Sequence, residues 1–253
     1  MRYFLVLGVV ILLAAAQGTD PFAGKWRVTA DRTQFSIVYK FLSAGEGKFQ
    51  TDNGIGLGPV LPVDGTARES PLGGTVSLKR IHDHTYVYTL KRKSLYKRTM
   101  TINGDKMKWA EDQELDGGQH EVFESDWARV GHGTGLAGEW KRMSITDPQG
   151  EKATETVRVI PNGLAFKYSL SKSEEKIYFD GKEHADDDPD AMKSVSDIAT
   201  RLDAHSYREI EKRKGEVIST QSCSLSDDEN TITCTTIDGH GRKSVIVLER
   251  LSR

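Results

Sequence analysis

Short runs in which Val, Ile, Thr, Tyr and Phe alternate with polar residues recur along most of the chain. They include Thr85–Lys91, 106–111, 120–129, 165–170, Glu216–Leu225 and 243–251. Alternation with a period of two is the pattern of a half-buried strand. Turn signals separate the runs: Asn103-Gly104-Asp105, Asp116-Gly117-Gly118, Pro161-Asn162-Gly163, Asp180-Gly181 and Asp238-Gly239. A spacing of about ten residues predicts hairpin after hairpin, with about eight strands in each half of the chain. Helix is scarce; only 191–200 reads equally well as helix or strand. The predicted fold is all-β: two tandem antiparallel up-and-down β-barrels, because closure removes exposed sheet edges.

The halves are copies of one unit. Phe22-Ala23-Gly24-Lys25-Trp26 returns as Leu136-Ala137-Gly138-Glu139-Trp140, 114 positions later. Lys79-Arg80-Ile81-His82-Asp83-His84-Thr85-Tyr86 returns as Thr200-Arg201-Leu202-Asp203-Ala204-His205-Ser206-Tyr207, and Lys91-Arg92-Lys93 as Lys212-Arg213-Lys214. Asp64-Gly65 matches Asp180-Gly181, and Arg129 and Arg250 close the two units. The expected division is a first barrel over 20–130, a Gly-rich linker over 131–135 and a second barrel over 136–253. Each unit is long enough for its own core, and the linker glycines give it freedom.

Residues 1–16 carry Arg2, an apolar stretch over 3–13 and then Ala14-Ala15-Ala16. That order is a secretory signal cut after Ala16. The stretch falls short of the roughly 20 apolar residues that span a bilayer. The expectation is an exported protein, periplasmic or extracellular, with no stable membrane insertion once the signal is gone. The net charge of -2 makes nucleic acid an unfavourable partner. Two cysteines cannot form a zinc ribbon or hold an iron–sulfur cluster. Cys223 and Cys234 flank a hairpin whose turn centres on Asp228-Glu229, which sets them opposite one another. In an oxidising compartment that placement predicts a disulfide.

Each repeat opens on Gly-x-Trp (Gly24 and Trp26, Gly138 and Trp140) and closes on an arginine. In a closed meander the first and last strands are neighbours, so an arginine on the last strand can cover the indole on the first. This combination resembles the lipocalin-like (calycin) barrels. The resemblance implies that Trp26, Arg129, Trp140 and Arg250 form a structural lock at the closed end and are not ligand contacts. The chain is also similar to uncharacterised secreted bacterial proteins with a Pro-Phe-x-Gly-x-Trp start, here Pro21-Phe22-Ala23-Gly24-Lys25-Trp26. Asp180-Gly181-Lys182-Glu183-His184 and Arg201-Leu202-Asp203-Ala204-His205-Ser206 carry the rest of that likeness. His184 stands where those proteins carry Tyr, and the Thr-Asp-Tyr signature of larger lipocalins is absent.

Other clusters read as surface features. His82-Asp83-His84 falls at a hairpin tip, and the second copy keeps only His205. Asp186-Asp187-Asp188-Pro189-Asp190 lacks the alternation, central Gly and terminal Glu of an EF-hand loop. Gly54-x-Gly56-x-Gly58 has no following helix to support a phosphate and reads as a loop at a barrel mouth. Lys91-Arg92-Lys93 with Lys97 and Arg98 reads as a basic, solvated hairpin. No catalytic residue, cofactor motif or metal-ligand spacing stands out. The leading expectation is an exported binding protein holding a small, mostly apolar ligand inside a barrel, in a cavity of about 300 Å³ or more. A non-catalytic scaffold of two packed barrels is the alternative, and an enzyme acting at a barrel mouth ranks third.

Overall fold

The computed structural model describes residues 20–253 apart from 30–31, 35, 37, 53–55, 93, 115–117, 119, 147–153, 169–173 and 186–193. Residues 1–16, read above as a signal, and the acidic run at 186–190 therefore lie outside the described residues, as do Gly54 and Lys93. The first ten strands are β1 (Gly24–Val28), β2 (Val38–Ser43), β3 (Lys48–Asp52), β4 (Leu57–Pro62), β5 (Arg68–Glu69), β6 (Thr75–His82), β7 (Thr85–Lys91), β8 (Leu95–Asn103), β9 (Lys106–Glu114) and β10 (His120–Val130). The second ten are β11 (Gly138–Thr146), β12 (Thr154–Ile160), β13 (Gly163–Tyr168), β14 (Glu175–Tyr178), β15 (Glu183–Ala185), β16 (Val195–Asp203), β17 (Ser206–Arg213), β18 (Glu216–Leu225), β19 (Thr231–Asp238) and β20 (Lys243–Ser252). The ambiguous stretch near 195–200 is strand, in β16.

The strands form two antiparallel, nearly closed barrels of ten strands each, two more than the eight expected. The short β5 and β15 escaped the pattern because two or three residues show no period. In one barrel the ring closes where the chain after β4 meets β6. There the Gly65 amide donates to the Leu78 carbonyl at 2.9 Å and the Arg80 amide to the Val63 carbonyl at 2.8 Å.

The sheets cut across the sequence copies. One runs β4-β3-β2-β11-β10-β9-β8-β7-β6-β5; the other runs β14-β13-β12-β1-β20-β19-β18-β17-β16-β15. Each copy thus lends its first strand to the other barrel. We call the β2–β11 barrel the first and its partner the second. Packing agrees with pairing. Leu136 and Trp140 belong to the core of the first barrel, and Phe22 and Trp26 to that of the second.

Residues 131–135 are accordingly not a linker between barrels. They form the hairpin loop joining β10 to β11 inside one sheet, where Arg129 faces Trp140 and Val130 faces Glu139. A short connection closes most cheaply between adjacent antiparallel strands, so β11 stays beside β10. Gly131 and Gly135 supply left-handed turn residues, with φ of 75° and 57°. The corresponding slot between β12 and β20 is filled by β1. The chain then follows β20 before crossing to the first barrel. The Thr29 amide donates to the Val247 carbonyl at 2.9 Å, and Gln34 and Val245 exchange amide bonds at 2.7 and 2.8 Å.

Candidate functional site

The two ends led by tryptophan are built alike. The Trp26 indole donates to the Phe22 carbonyl at 2.9 Å, and the Trp140 indole to the Leu136 carbonyl at 3.0 Å. The Arg250 guanidinium lies 4.0 Å from the Trp26 ring centre, and that of Arg129 lies 4.1 Å from Trp140. Trp26 therefore meets the arginine of the other copy. Arg250 also donates to the carbonyls of Glu229 (2.6 Å), Ala23 (2.8 Å) and Pro21 (2.5 Å). Arg129 donates to Asp105 Oδ1 (2.9 Å), to the Gly135 (2.8 Å) and Gly104 (3.3 Å) carbonyls, and to the Ala137 carbonyl. Each arginine ties the start of the first strand to the end of the last.

The motif glycines make room for those arginines. A Cβ on Gly24 would stand 2.7 Å from Arg250 Nη1 and 2.5 Å from the Ser252 carbonyl oxygen; on Gly138 it would stand 2.6 Å from Arg129 Nη1. Both also have φ near +140°, which side chains other than glycine's rarely adopt. Gly24→Ala should therefore destabilise the second barrel, and Gly138→Ala the first, by about 2 kcal/mol each. Denaturant melts of the two variants check this.

The barrel interiors differ. Register matches them residue by residue. Tyr39 faces Trp140 in one barrel as Glu155 faces Trp26 in the other. Tyr86 pairs with Met100 and Tyr88 with Arg98, as Tyr207 pairs with Cys223 and Glu209 with Gln221. Trp109 and Trp127 correspond to Cys234 and Leu248, through the pairs Met100–Trp109 and Met107–Trp127 and the pairs Cys223–Cys234 and Ile232–Leu248.

The first interior is rich in buried aromatic side chains. Trp109 and Trp127 stack with ring centres 4.9 Å apart. The Arg98 guanidinium binds Glu111 at 2.6 Å and lies 5.4 Å from the Trp109 ring centre and 5.8 Å from that of Tyr88. Burial alone would lower the Arg98 pKa, but the Glu111 charge beside it holds it above the usual value. Burial lowers Arg142, on β11, to about 10 against a weak opposing pull from Glu111. Arg98 is thus an interior residue and not part of a basic hairpin surface. The signal was its phase with Met100, two residues on along β8.

The second interior keeps open space of about 70 Å³. Its lining follows the period of two: Glu155 and Val157 on β12, Tyr207 and Glu209 on β17, Ile232 and Cys234 on β19, Ile246 and Leu248 on β20, with Phe166, Glu175 and Gln221 between. At the matched core positions smaller side chains replace larger ones, most sharply Cys for Trp109 and Leu for Trp127. Cys223 and Cys234 are disulfide-bonded, and Cys234 forms part of the wall. The cavity is smaller than the 300 Å³ expected; its wall is mostly apolar, with Glu155, Glu175, Glu209 and Gln221 set into it. Burial raises the Tyr207 phenol well above its usual pKa, and the charges of Glu209, Glu155 and Glu175 raise it further.

Sequence reasoning passed over Glu155 and Glu209 because glutamate reads as surface. Glu209, two residues after the core Tyr207, shares its inward phase, and that phase was the available signal. His82, Asp83 and His84 lie exposed at the β6–β7 turn. Among the described residues no three His, Cys, Asp or Glu side chains converge to hold a metal ion, and no helix is long and apolar enough to cross a membrane. No family model, curated protein or solved structure matches the chain.

Proposed function

We propose that the protein is an exported, lipocalin-like binding protein whose second barrel holds one small molecule in its interior. One observation carries this reading. Two copies of one fold share the same tryptophan–arginine closure, yet the second carries Cys234 and Leu248 where the first carries the stacked Trp109 and Trp127, and lined space lies beside them. A small barrel either packs its interior or holds one small ligand, and the lined space supports the second role for the second barrel. Polar groups placed among apolar walls are the usual make-up of a ligand site. The space suits a molecule, or part of one, with few heavy atoms.

The aromatic-rich core of the first barrel gives the scaffold reading its own support, as a barrel that receives β11 and donates none of its β2–β10 strands. Native mass spectrometry of the protein taken from its producing cells separates the two. Binding predicts a low-mass adduct that disappears in Leu248→Trp, which restores the bulk that Trp127 supplies in the first barrel. A bare protein mass in wild type leaves only the scaffold.

A further inference from the structure

We infer that the first barrel is the lid of the second barrel's cavity: Arg92 and Arg213, the arginines of the repeated basic motif, clamp one loop of the first barrel's rim, at 70–74, against the mouth of the second. This inference rests on the binding reading above and adds how the site opens and shuts.

The way out of the cavity leads to that mouth. At the tryptophan end, Trp26 and Phe22 are fully buried and plug the second barrel. Away from that end, β17 and β18 leave the lining residues Glu209 and Gln221. They pass Glu211 and Ser219, bonded at 2.9 Å, and end at Arg213 and Glu216, which face each other across the rim. A strand rises about 3.3 Å per residue, which sets Arg213 about 13 Å beyond Glu209.

Contacts on two separate strands of this rim reach the first barrel. On β17, the Arg213 guanidinium donates to the Pro71 carbonyl at 3.2 Å. Gly56 leaves it room, since a Cβ there would stand 2.7 Å from Arg213 Nη1. Pro71 and Gly56 precede β6 and β4, at the end of the first barrel away from Trp140. On β20, Ser244 Oγ accepts the Ser36 amide at 3.1 Å, just before the chain enters β2. The two open ends therefore meet. The loop that receives Arg213 is held in shape by its own bonds. The Ser70 amide donates to the Gly74 carbonyl and the Gly73 amide to the Ser70 carbonyl, both at 2.9 Å, and the Leu72 amide to the Ser70 hydroxyl at 3.1 Å. Arg92 donates to the Leu72 carbonyl of the same loop at 3.2 Å. Equivalent arginines of the two copies thus grip neighbouring carbonyls, Arg92 from within the first barrel and Arg213 from the second. The bond from Arg213 lies in reach of water, where a hydrogen bond is modest in net strength. That suits a closure that opens and re-forms.

Hydrogen exchange and native mass spectrometry of the full, disulfide-bonded chain test this. Arg213→Ala should speed exchange of the Ser70, Leu72 and Gly73 amides by about threefold or more, although the substituted residue belongs to the other barrel. Exchange across β16 to β20 should stay at wild-type levels, which shows that the second barrel is still folded. Lys214→Ala, at the exposed neighbouring position, should leave the 70–74 loop unchanged. Protein taken from its producing cells and diluted into ligand-free buffer should lose its low-mass adduct about threefold faster or more in Arg213→Ala than in wild type, or arrive bare, with every lining residue intact. Wild-type exchange of the loop in Arg213→Ala would overturn the clamp and the inference with it. A loosened loop with an unchanged rate of adduct loss would overturn the lid and leave the binding reading standing. A wild-type protein without any adduct would remove both.

Discussion

Trp26→Ala is expected to destabilise the barrel made from the other half of the chain. Trp26 is fully buried in the second barrel's core, held by its bond to the Phe22 carbonyl and covered by Arg250. Emptying such a site costs about 3–5 kcal/mol, from lost burial and the cavity left behind. In a domain of this size that lowers the melting point by about 10–20 °C. Location tests the strand exchange more sharply than magnitude does. Hydrogen exchange should rise across β12, β13 and β16 to β20, which hold or neighbour β1, and stay at wild-type levels across β2 to β10. Trp140→Ala should give the mirror image. If Trp26→Ala instead exposes β2 to β10, each copy closes on itself and the exchanged topology fails.

The exchange itself was not legible in the sequence, for a definite reason. Gly24, Trp26 and Arg250 repeat as Gly138, Trp140 and Arg129, so either tryptophan fits either arginine equally well by residue type. The choice is made by loop length. The residues from Gly131 to Ala137 turn back as a hairpin, and that commits β11 to the first barrel. The ladders were legible because Thr85–Lys91 and Glu216–Leu225, rich in strand formers and flanked by turns, are the bounds of β7 and β18. The disulfide was legible because Cys223 and Cys234 stand symmetrically about the Asp228-Glu229 turn. The cavity was hidden for another reason. It is a difference between copies, visible only once Trp109 is matched to Cys234 and Arg98 to Gln221, and hairpins of unequal length offset those pairs in the sequence.

The same logic makes Arg129→Ala the second large effect. The Arg129 side chain is only 3% exposed, although the indole it covers and the carbonyls it binds all lie at a barrel end. It holds together three pieces of chain: the β8–β9 turn through Gly104 and Asp105, the β10–β11 loop through Gly135 and Ala137, and β11 through the Trp140 ring. Truncation leaves those acceptors with one donor fewer each and bares the indole, for a loss of about 3 kcal/mol or more. Lysine should recover less than half of that. One ammonium on a flexible stem cannot point at both loops and also lie flat on the ring, whereas a planar guanidinium does all three at once. Urea melts of wild type, Arg129→Ala and Arg129→Lys measure the order. Hydrogen exchange places the damage, which should centre on β9 to β11 and spare the junction of β1 with β20. A lysine variant as stable as wild type would mean that charge alone closes the barrel, and the fork geometry shared by Arg129 and Arg250 would have no part in holding the exchanged strands.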